Sequence, residues 1–203
     1  MIEKIKRIKQ KTLKLPSRVN FGPSALVAFF IGCGIGVAFY PSVNPSWVTS
    51  STEHAPIRAC FSPGGQCTDK IVNAIASAQA SILVMAYSFT SPQIARALVE
   101  GFERGIDVQI LIDKSQLKEK YSQLPFLQNK GIPVFIDSPS GLAHNKVMII
   151  DRRYVLSGSF NFTRAAESKN AENVLLIDDP SLAQIYQNNW EERAHGAQQL
   201  KSF

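Results

Sequence analysis

The sequence of 203 residues contains few of the side chains that build metal centres, with three cysteines and three histidines. A structural zinc site takes four Cys or His ligands at short spacing, and the two nearby cysteines, Cys60 and Cys67, have no adjacent histidine. We therefore expect no zinc site at these cysteines, and we expect no cofactor. The sequence also lacks an internal repeat, and a chain of this length can hold one domain with a sizeable core plus a tail.

An excess of charge is missing from most of the chain, although the formal net charge is +6. Residues 1–20 carry seven Lys or Arg and one Glu, whereas residues 21–203 carry fifteen basic and fifteen acidic side chains. The basic character therefore belongs to the N-terminal segment. The rest of the chain could bind a polyanion only through a local patch of positive charge.

Residues 1–40 combine this basic segment with an uncharged apolar run of 17 residues at positions 24–40. That length lies at the lower limit for a membrane-spanning helix, and the preceding positive charges would keep the N-terminus in the cytoplasm and send the rest across. An uncleaved membrane anchor and a cleaved secretory signal both fit this pattern. We expect an exported protein, either periplasmic or anchored in an inner membrane. Residues 41–56, rich in Pro, Ser and Thr, are expected to form a linker.

Residues 57–203 alternate between strand-like and helix-like segments, which predicts an α/β domain with a mixed β-sheet and helices on both faces. The segment Ser81–Tyr87 is apolar throughout, as expected of a central strand buried on both sides.

Several helix ends can be read from the same region. Thr68 or Asp69 is expected to cap the first helix, and Ser91 followed by Pro92 to start the second. A third helical region is expected to be interrupted at Pro125. A last helix is expected to begin at Asp179-Pro180 and to bury Leu182, Ile185, Tyr186 and Trp190.

Two apolar runs flank Asp151, Arg152 and Arg153, which predicts a β-hairpin with these three residues in its turn. His144 and Lys146 precede the turn and lie two positions apart, so they project from the same face if this segment is a strand.

The second strand of the hairpin runs into Gly158, Ser159, Phe160 and Asn161. This small polar loop is suited to bind an anion through backbone N–H groups, a hydroxyl and an amide. The hairpin would thus gather a histidine, a fixed cation and several hydrogen-bond donors around one phosphate-sized site.

The spacing H-x-K-x4-D-x6-G-S-x-N in these residues resembles the signature of the phospholipase D superfamily. Residues 85–90, the loop that continues to Thr163, and Glu172 with Asn173 resemble the short bacterial Nuc-type endonucleases of that superfamily. The resemblance covers about residues 57–195 and implies a phospholipase D-like fold with one motif copy per chain, since His195 has no lysine two residues later. It also implies a homodimer that brings two motif copies to one active site.

The resemblance further implies a role for each residue that would touch the phosphate. His144 would attack phosphorus to form a phosphohistidine, and His144 of the partner subunit would protonate the leaving oxygen. Lys146 and Asn161 would hold the non-bridging oxygens, with help from Ser159. No metal ion is required in this scheme, because the lysine and histidine pairs supply the positive charge.

Three further motif residues are implied to support this chemistry. Glu172 would accept a hydrogen bond from the second imidazole nitrogen and fix the ring. Asp151 and Gly158 would be structural, with Asp151 orienting the hairpin or bonding across the dimer.

The two cysteines bracket a turn and lie seven positions apart. In an exported protein such a pair is expected to form a disulfide, so we predict a bond between Cys60 and Cys67.

Other residues near the motif allow two interpretations. Phe160 and Phe162 could stack on nucleic-acid bases, but their alternation beside a buried loop favours core packing. Basic residues around the motif could grip a polyanion or could be ordinary solvated charges: Arg152, Arg153, Arg164 and Lys169. The group Lys114, Lys118 and Lys120 is expected to be a solvated helix face.

The favoured function is a metal-independent, nonspecific endonuclease that hydrolyses DNA or RNA. A phospholipase acting at the membrane surface is the main alternative, because phospholipids and nucleic acids present the same phosphodiester. The short chain and the Nuc-like loops favour the nuclease, whereas the anchor and the neutral domain favour the phospholipase. A non-catalytic module that binds nucleic acid or lipid is a third possibility, and the complete motif argues against it.

Overall fold

A computed structural model describes residues 56–200 of the chain. The predicted leader at residues 1–40, and the predicted linker apart from Pro56, lie outside the described residues. Within residues 56–200, no helix combines the length and the apolar character needed to cross a membrane.

The described residues form one eight-stranded mixed sheet with the order β1-β7-β6-β5-β2-β3-β4-β8. Strands β2, β3 and β4 are parallel, and the other neighbouring pairs are antiparallel. The mixed sheet predicted from the sequence is confirmed, whereas β8 was not expected. The strands are β1 Ile57–Ser62, β2 Ser81–Ala86, β3 Asp107–Asp113, β4 Val134–Asp137, β5 Lys146–Ile150, β6 Tyr154–Gly158, β7 Glu172–Asp178 and β8 Gln198–Gln199.

Helices cover both faces of this sheet, as predicted. Those within residues 56–200 are α1 Cys67–Ala76, α2 Pro92–Glu103, α3 Leu124–Asn129, α4 Arg164–Ser168 and α5 Pro180–His195, with a 3-10 turn at Lys114–Leu117.

Strand β2 shows why the core has two layers. Its side chains alternate, so Ile82 and Val84 join the cluster that includes α1 and α2, while Leu83 and Met85 join the cluster that includes α5. All four are at most 8% exposed. Each buried side chain of this size contributes about 1.5–3 kcal/mol of transfer free energy, and the prediction of a strand buried on both faces is confirmed.

The side of the last helix that is buried differs from the prediction. In α5 the buried positions are Ala183, Gln187 and Trp190, while Ile185 is 65% exposed. Ile185 lies two residues from both Ala183 and Gln187, which places it on the opposite side of a helix with 3.6 residues per turn. Leu182 and Tyr186 flank the buried stripe and are only partly buried.

The start of α1 also differs from the prediction. The helix begins at Cys67, after Gln66 in a left-handed conformation, and no side chain of Thr68 or Asp69 caps it. Instead the carboxylate of Glu167 in α4 accepts a hydrogen bond from the Thr68 N–H at 2.6 Å. A carboxylate from elsewhere in the chain therefore satisfies the end of the helix that attracts negative charge.

The other two predicted features of the helices have mixed outcomes. Ser91 caps α2 and accepts a hydrogen bond from the Ile94 N–H, with Pro92 in the first turn, as predicted. Pro125 does not interrupt a helix but lies in the first turn of α3, where a missing N–H costs nothing.

The predicted disulfide between Cys60 and Cys67 is present and joins β1 to the start of α1. Between the two cysteines lies Ser62, whose hydroxyl is buried and donates to the Ala166 carbonyl of α4 at 2.6 Å. The loop closed by the disulfide therefore contacts α4, the helix that follows the predicted anion-binding loop at residues 158–161.

Replacing both cysteines by serine should lower the free energy of unfolding. The cysteines are separated by seven positions, and closing a loop of that size is worth about 2 kcal/mol through the entropy of the unfolded chain. Urea unfolding of wild type and C60S/C67S, each with and without dithiothreitol, measures the difference. Dithiothreitol should destabilise the wild type alone; a wild type that unfolds at the same urea concentration in both conditions would contradict the prediction.

Candidate active site

Five strand ends meet at one edge of the sheet and carry the predicted motif. Lys146 begins β5, Gly158 ends β6 and Glu172 begins β7. Tyr87 directly follows β2, and Asp113 ends β3. Because β2 and β5 are antiparallel with Ala86 opposite Lys146, the end of one strand lies beside the beginning of the other.

His144 lies two residues before β5, in a segment outside the strand, and its side chain is exposed. The expectation that the side chains of His144 and Lys146 project from one face of the same strand is therefore wrong, because only Lys146 lies in β5. What joins them is a hydrogen bond from the Lys146 ammonium to the His144 carbonyl at 2.8 Å. The imidazole lies against Tyr87, with 4.5 Å between ring centroids and 52° between ring planes.

Lys146 is buried, with only 7% of the residue exposed. Burial lowers the pKa of its ammonium group, and the nearby negative charge of Glu172 opposes that shift. The ammonium also lies 5.0 Å from the centroid of the Tyr87 ring. A desolvated cation with three donor hydrogens, one of them used by the His144 carbonyl, is available to bind an anion.

Glu172 is held by neighbours on both of its carboxylate oxygens. The Ser159 hydroxyl donates to one oxygen at 2.6 Å, and the Asn170 amide donates to the other at 3.0 Å. Within residues 56–200 no hydrogen bond joins Glu172 to His144. The predicted contact of Glu172 with the imidazole is therefore absent here, and its charge acts on Lys146.

The Gly158–Asn161 loop uses part of its predicted anion-binding capacity internally. The N–H groups of Ser159 and Phe160 both donate to the Asn173 carbonyl, at 3.1 and 3.3 Å. A Cβ atom on Gly158 would lie 2.2 Å from that same carbonyl oxygen, so only glycine fits. The loop is thus fixed to β7 by its backbone, and the hydroxyl and amide side chains remain as its polar groups.

Asn161 carries one of two buried side-chain oxygens without a hydrogen-bond partner in the described part of the chain. Buried polar atoms are almost always hydrogen-bonded, and an exception often marks a functional position. The unpartnered atom is the carbonyl oxygen Oδ1, which can only accept a hydrogen bond, so a phosphate oxygen would have to be bound by the NH2 group of Asn161.

Phe160 and Phe162, which flank Asn161, are each 1% exposed. Phe162 packs edge-on against Phe89 with 5.7 Å between ring centroids, and its carbonyl accepts from the Thr90 and Ser91 N–H groups. The two phenylalanines belong to the core, as favoured, and cannot stack on a base.

Asp151 lies at the opposite end of β5 from His144, in the turn before β6. Its carboxylate accepts hydrogen bonds from three consecutive backbone N–H groups, those of Gln79, Ala80 and Ser81. Asp151 therefore fastens the hairpin to the start of β2, which matches the first of its two predicted structural roles.

Arg152 and Arg153 share that remote turn with Asp151, so of their two interpretations the ordinary solvated charge fits their position. Arg153 makes a two-pronged contact with the carboxylate of Asp178, at 2.6 and 2.9 Å. Lys146 begins the five-residue strand β5 and the turn follows its end, a separation of about 13 Å or more.

Asp113 supports the site without having been predicted. Its side chain is fully buried and accepts hydrogen bonds from the Ser115 N–H at 2.9 Å and from the Ala143 N–H at 2.7 Å. Ala143 precedes His144, so Asp113 anchors the segment that carries the imidazole. An aspartate at the end of an apolar strand is the only sequence signal for this role, and nothing in the sequence indicates that residue 143 lies beside it.

The environment of Asp113 favours its ionised form. Burial alone would raise the pKa of the carboxyl group, but the hydrogen bonds from Ser115 and Ala143 and the charge of Lys114 outweigh it, so the pKa is lowered.

Residues 56–200 contain no group of three or more His, Cys, Asp or Glu side chains that could hold a metal ion. The metal independence expected from the sequence remains a prediction.

Comparisons with known proteins agree on one family. The family model described as "Cardiolipin synthase, PLD-like domain" matches residues 71–194. A phospholipase D of Rickettsia felis is 40% identical over 184 residues, which cover 82% of this chain and 92% of that protein. The human mitochondrial cardiolipin hydrolase is 32% identical over 133 residues, covering 65% of this chain and 53% of that protein.

A solved structure gives the same result for the fold. The phospholipase D family member Nuc from Salmonella typhimurium superposes with a TM-score of 0.70 and 39% identity, over 73% of this chain and 100% of that one. The fold predicted from the resemblance is confirmed.

Replacing Asp113 by asparagine should destabilise the protein in a pH-dependent way. A carboxylate whose pKa is lowered in the native state stabilises the fold above its ordinary pKa of 3.8, and this contribution is lost as the pH falls through the native pKa. We expect D113N to lower the free energy of unfolding by about 2 kcal/mol at pH 7, with a smaller difference below pH 3.8.

Urea unfolding of wild type and D113N at pH 7 and at a pH below 3.8 measures this effect. Asp107→Asn at the exposed start of the same strand is the matched control and should change stability by less than about 0.5 kcal/mol. A D113N deficit that is the same at both pH values would show that the charge of Asp113 does not matter.

Proposed function

The chain belongs to the phospholipase D superfamily and is a phosphodiesterase of that family, and from its site we propose that it is a metal-independent endonuclease acting on DNA or RNA as a homodimer. The observation that carries the proposal is the hydrogen bond from the buried ammonium of Lys146 to the His144 carbonyl, at the end of the sheet where β6 also runs into the Gly158–Asn161 loop. Together these groups offer a nucleophile, a fixed positive charge and a polar contact for one phosphodiester.

In the first step an imidazole nitrogen of His144 attacks phosphorus. A P–N bond forms, and the P–O bond to the leaving alkoxide breaks. His144 of the partner subunit, in its protonated form, transfers a proton to that alkoxide. Imidazole can act in either protonation state near neutral pH, so two copies can take opposite roles.

In the second step water attacks phosphorus and breaks the P–N bond. The partner subunit's His144, now neutral, removes the proton from this water and returns to its initial state. Both steps need a second imidazole, and the described residues of one chain supply only one beside Lys146. The dimer is therefore part of the proposed mechanism.

Lys146 stabilises the charge that develops on the non-bridging oxygens. Its ammonium is shielded from water and held by the His144 carbonyl, and a preorganised donor in such a setting is worth far more than one in water. The NH2 group of Asn161 would donate a hydrogen bond to one of these oxygens. Ser159 already donates to Glu172, so its proposed role on the phosphate would require that bond to open.

A phospholipase is the second candidate, and the names of relatives favour it. The Rickettsia felis relative is called phospholipase D, and the human relative is called a mitochondrial cardiolipin hydrolase. The chemistry at phosphorus would be the same. The nuclease is preferred because the likeness to Nuc extends over the whole of that chain and because the chain is short and its motif loops resemble those of the Nuc-type endonucleases.

We also propose that the catalytic domain acts outside the cytoplasm. The disulfide between Cys60 and Cys67 supports this location, because such bonds persist in oxidising compartments. Recovery of the protein from cells with both thiols free to alkylation would argue against it.

The full chain should cleave plasmid DNA or RNA in the presence of EDTA. His144→Ala should reduce the rate by about 10³-fold or more, because it removes the nucleophile and the acid together. His195→Ala is the matched control: it removes an exposed histidine at the end of α5 and should leave the rate unchanged. Phospholipid vesicles assayed in parallel test the second candidate. Loss of cleavage on chelation would rule out the two-histidine mechanism, and full activity of H144A would rule out the site.

A mixed dimer tests whether the two subunits share one site. Wild-type and H144A chains carrying different affinity tags are co-expressed, and the dimer that holds both tags is purified. If each reaction needs both histidines, this dimer should be as inactive as H144A itself. Half of the wild-type activity would show that each subunit has an independent site.

A further inference from the structure

A cleft of about 800 Å³ is lined in part by the start of α4, shortly after the Gly158–Asn161 loop, and carries an excess of positive charge. Three of its lining residues are cations and none is acidic: Lys120, Arg164 and Lys169. A second cleft of about 470 Å³ shares Arg164 with it and adds Arg96 and Glu167.

The cations of the cleft are not neutralised by ion pairs. The three ion pairs among residues 56–200 join Lys130 to Glu103, Arg153 to Asp178 and Arg193 to Asp137. Two acidic groups lie nearby, and both are turned to backbone groups: the carboxylate of Glu167 binds the Thr68 N–H, and that of Glu119 binds the Tyr121 N–H. In a region whose total charge is near zero, this cleft is a local patch of the kind needed to bind a polyanion.

The patch differs from what the sequence suggests. Lys120 was expected to share a solvated helix face with Lys114 and Lys118, but Lys114 lies in a 3-10 turn and Lys120 lies beyond its end. Folding brings Lys120 beside Arg164 and Lys169, which are more than forty positions away along the chain.

The cleft is connected to the candidate active site through the backbone. Thr90 lines the cleft, and its N–H donates to the carbonyl of Phe162, the residue after Asn161. At the other side, Lys169 precedes Asn170, whose amide holds Glu172. The lining of the cleft therefore adjoins residues next to Asn161 and Glu172 of the candidate active site.

Tyr121 adds an aromatic surface to the cleft. It is 67% exposed, and the Lys120 ammonium lies 5.3 Å from its ring centroid. An exposed ring next to cations can stack an unpaired base, an interaction that tolerates any base because each has a flat π-face. The bases of a duplex are stacked on each other and do not present such a face.

We propose that this cleft binds a single-stranded segment of nucleic acid that extends from the scissile phosphate. Lys120, Arg164 and Lys169 contact successive backbone phosphates, and Tyr121 stacks on a base. The inference rests on the proposed endonuclease function and deepens it, because it assigns the substrate class. Hydroxyl, amide and guanidinium groups line the cleft, which suits a sugar–phosphate backbone.

The test compares a long and a short phosphodiester on the full chain. The long substrate is a fluorescent single-stranded oligonucleotide of about 20 nucleotides, long enough to fill a binding groove. The short one is bis(p-nitrophenyl) phosphate, which has no chain to enter the cleft. In K120Q/R164Q/K169Q, the ratio of kcat/KM for the oligonucleotide to that for the short ester should fall about tenfold or more at low salt, and the slope of log Kd against log salt should decrease by about 2.

Two further variants separate the contributions. Tyr121→Ala should weaken oligonucleotide binding about tenfold without changing the salt slope, whereas Tyr121→Phe should retain binding. Arg152→Gln removes one exposed cation from the remote turn and should leave both substrates unaffected. All of the substituted side chains are exposed, and circular dichroism verifies that each variant is folded.

The outcomes distinguish this inference from the proposed function. Fluorescence anisotropy measures oligonucleotide binding even if nothing is cleaved. A wild-type chain that hydrolyses neither substrate would overturn the proposed function, and the binding measurements would still test whether the cleft holds nucleic acid. If the triple variant loses kcat/KM equally on both substrates, or binds the oligonucleotide as tightly as the wild type does, the proposed role of the cleft is wrong. A triple variant that loses activity on anionic vesicles but not on the oligonucleotide would also overturn it and would indicate a lipid surface.

Discussion

The burial of the Lys146 ammonium group is the constraint on which the rest of the site depends. Taking an ammonium ion out of water costs several kcal/mol unless nearby groups compensate. Here the compensation comes from the His144 carbonyl, the ring of Tyr87 and the charge of Glu172. These groups lie just before β5, just after β2 and at the start of β7. The site therefore forms only when the central part of the sheet has been assembled. The same desolvation makes the ammonium a stronger electrostatic partner for a phosphate than an exposed lysine would be.

The position of Glu172 depends in turn on parts of the chain that are distant in sequence. Its carboxylate is held by Asn170 and Ser159, and the segment before Asn170 is held by the buried hydroxyl of Ser62, which lies inside the disulfide-closed loop. Glu167 of the same segment satisfies the start of α1. The disulfide, the first helix and the acidic residue of the site are therefore connected through α4.

The sequence predicts best what is local along the chain. His144 and Lys146 stand at the start of one hairpin and the Gly158–Asn161 loop follows its end. A hairpin is set by turn residues and alternating apolar positions that can be read directly. The partners of those residues come from tertiary packing. Asp113 reaches Ala143 across a loop, and Tyr87 meets His144 only because β2 pairs with β5. Helix phase is uncertain for a similar reason: in α5 the packing against the sheet selects Ala183 and Gln187 over the more apolar Ile185.

A two-fold axis through the proposed shared site would also constrain how substrate is read. It would relate two copies of the cationic cleft, so a strand leaving the site on its 5′ side and on its 3′ side would meet equivalent surfaces. A nucleic-acid strand is directional, and equivalent surfaces cannot read both directions through base-specific hydrogen bonds. Contacts to phosphates carry no sequence information, and stacking on an aromatic ring tolerates any base. In the proposed complex, Lys120, Arg164, Lys169 and Tyr121 would supply these two kinds of contact, which suit a symmetric enzyme without sequence preference.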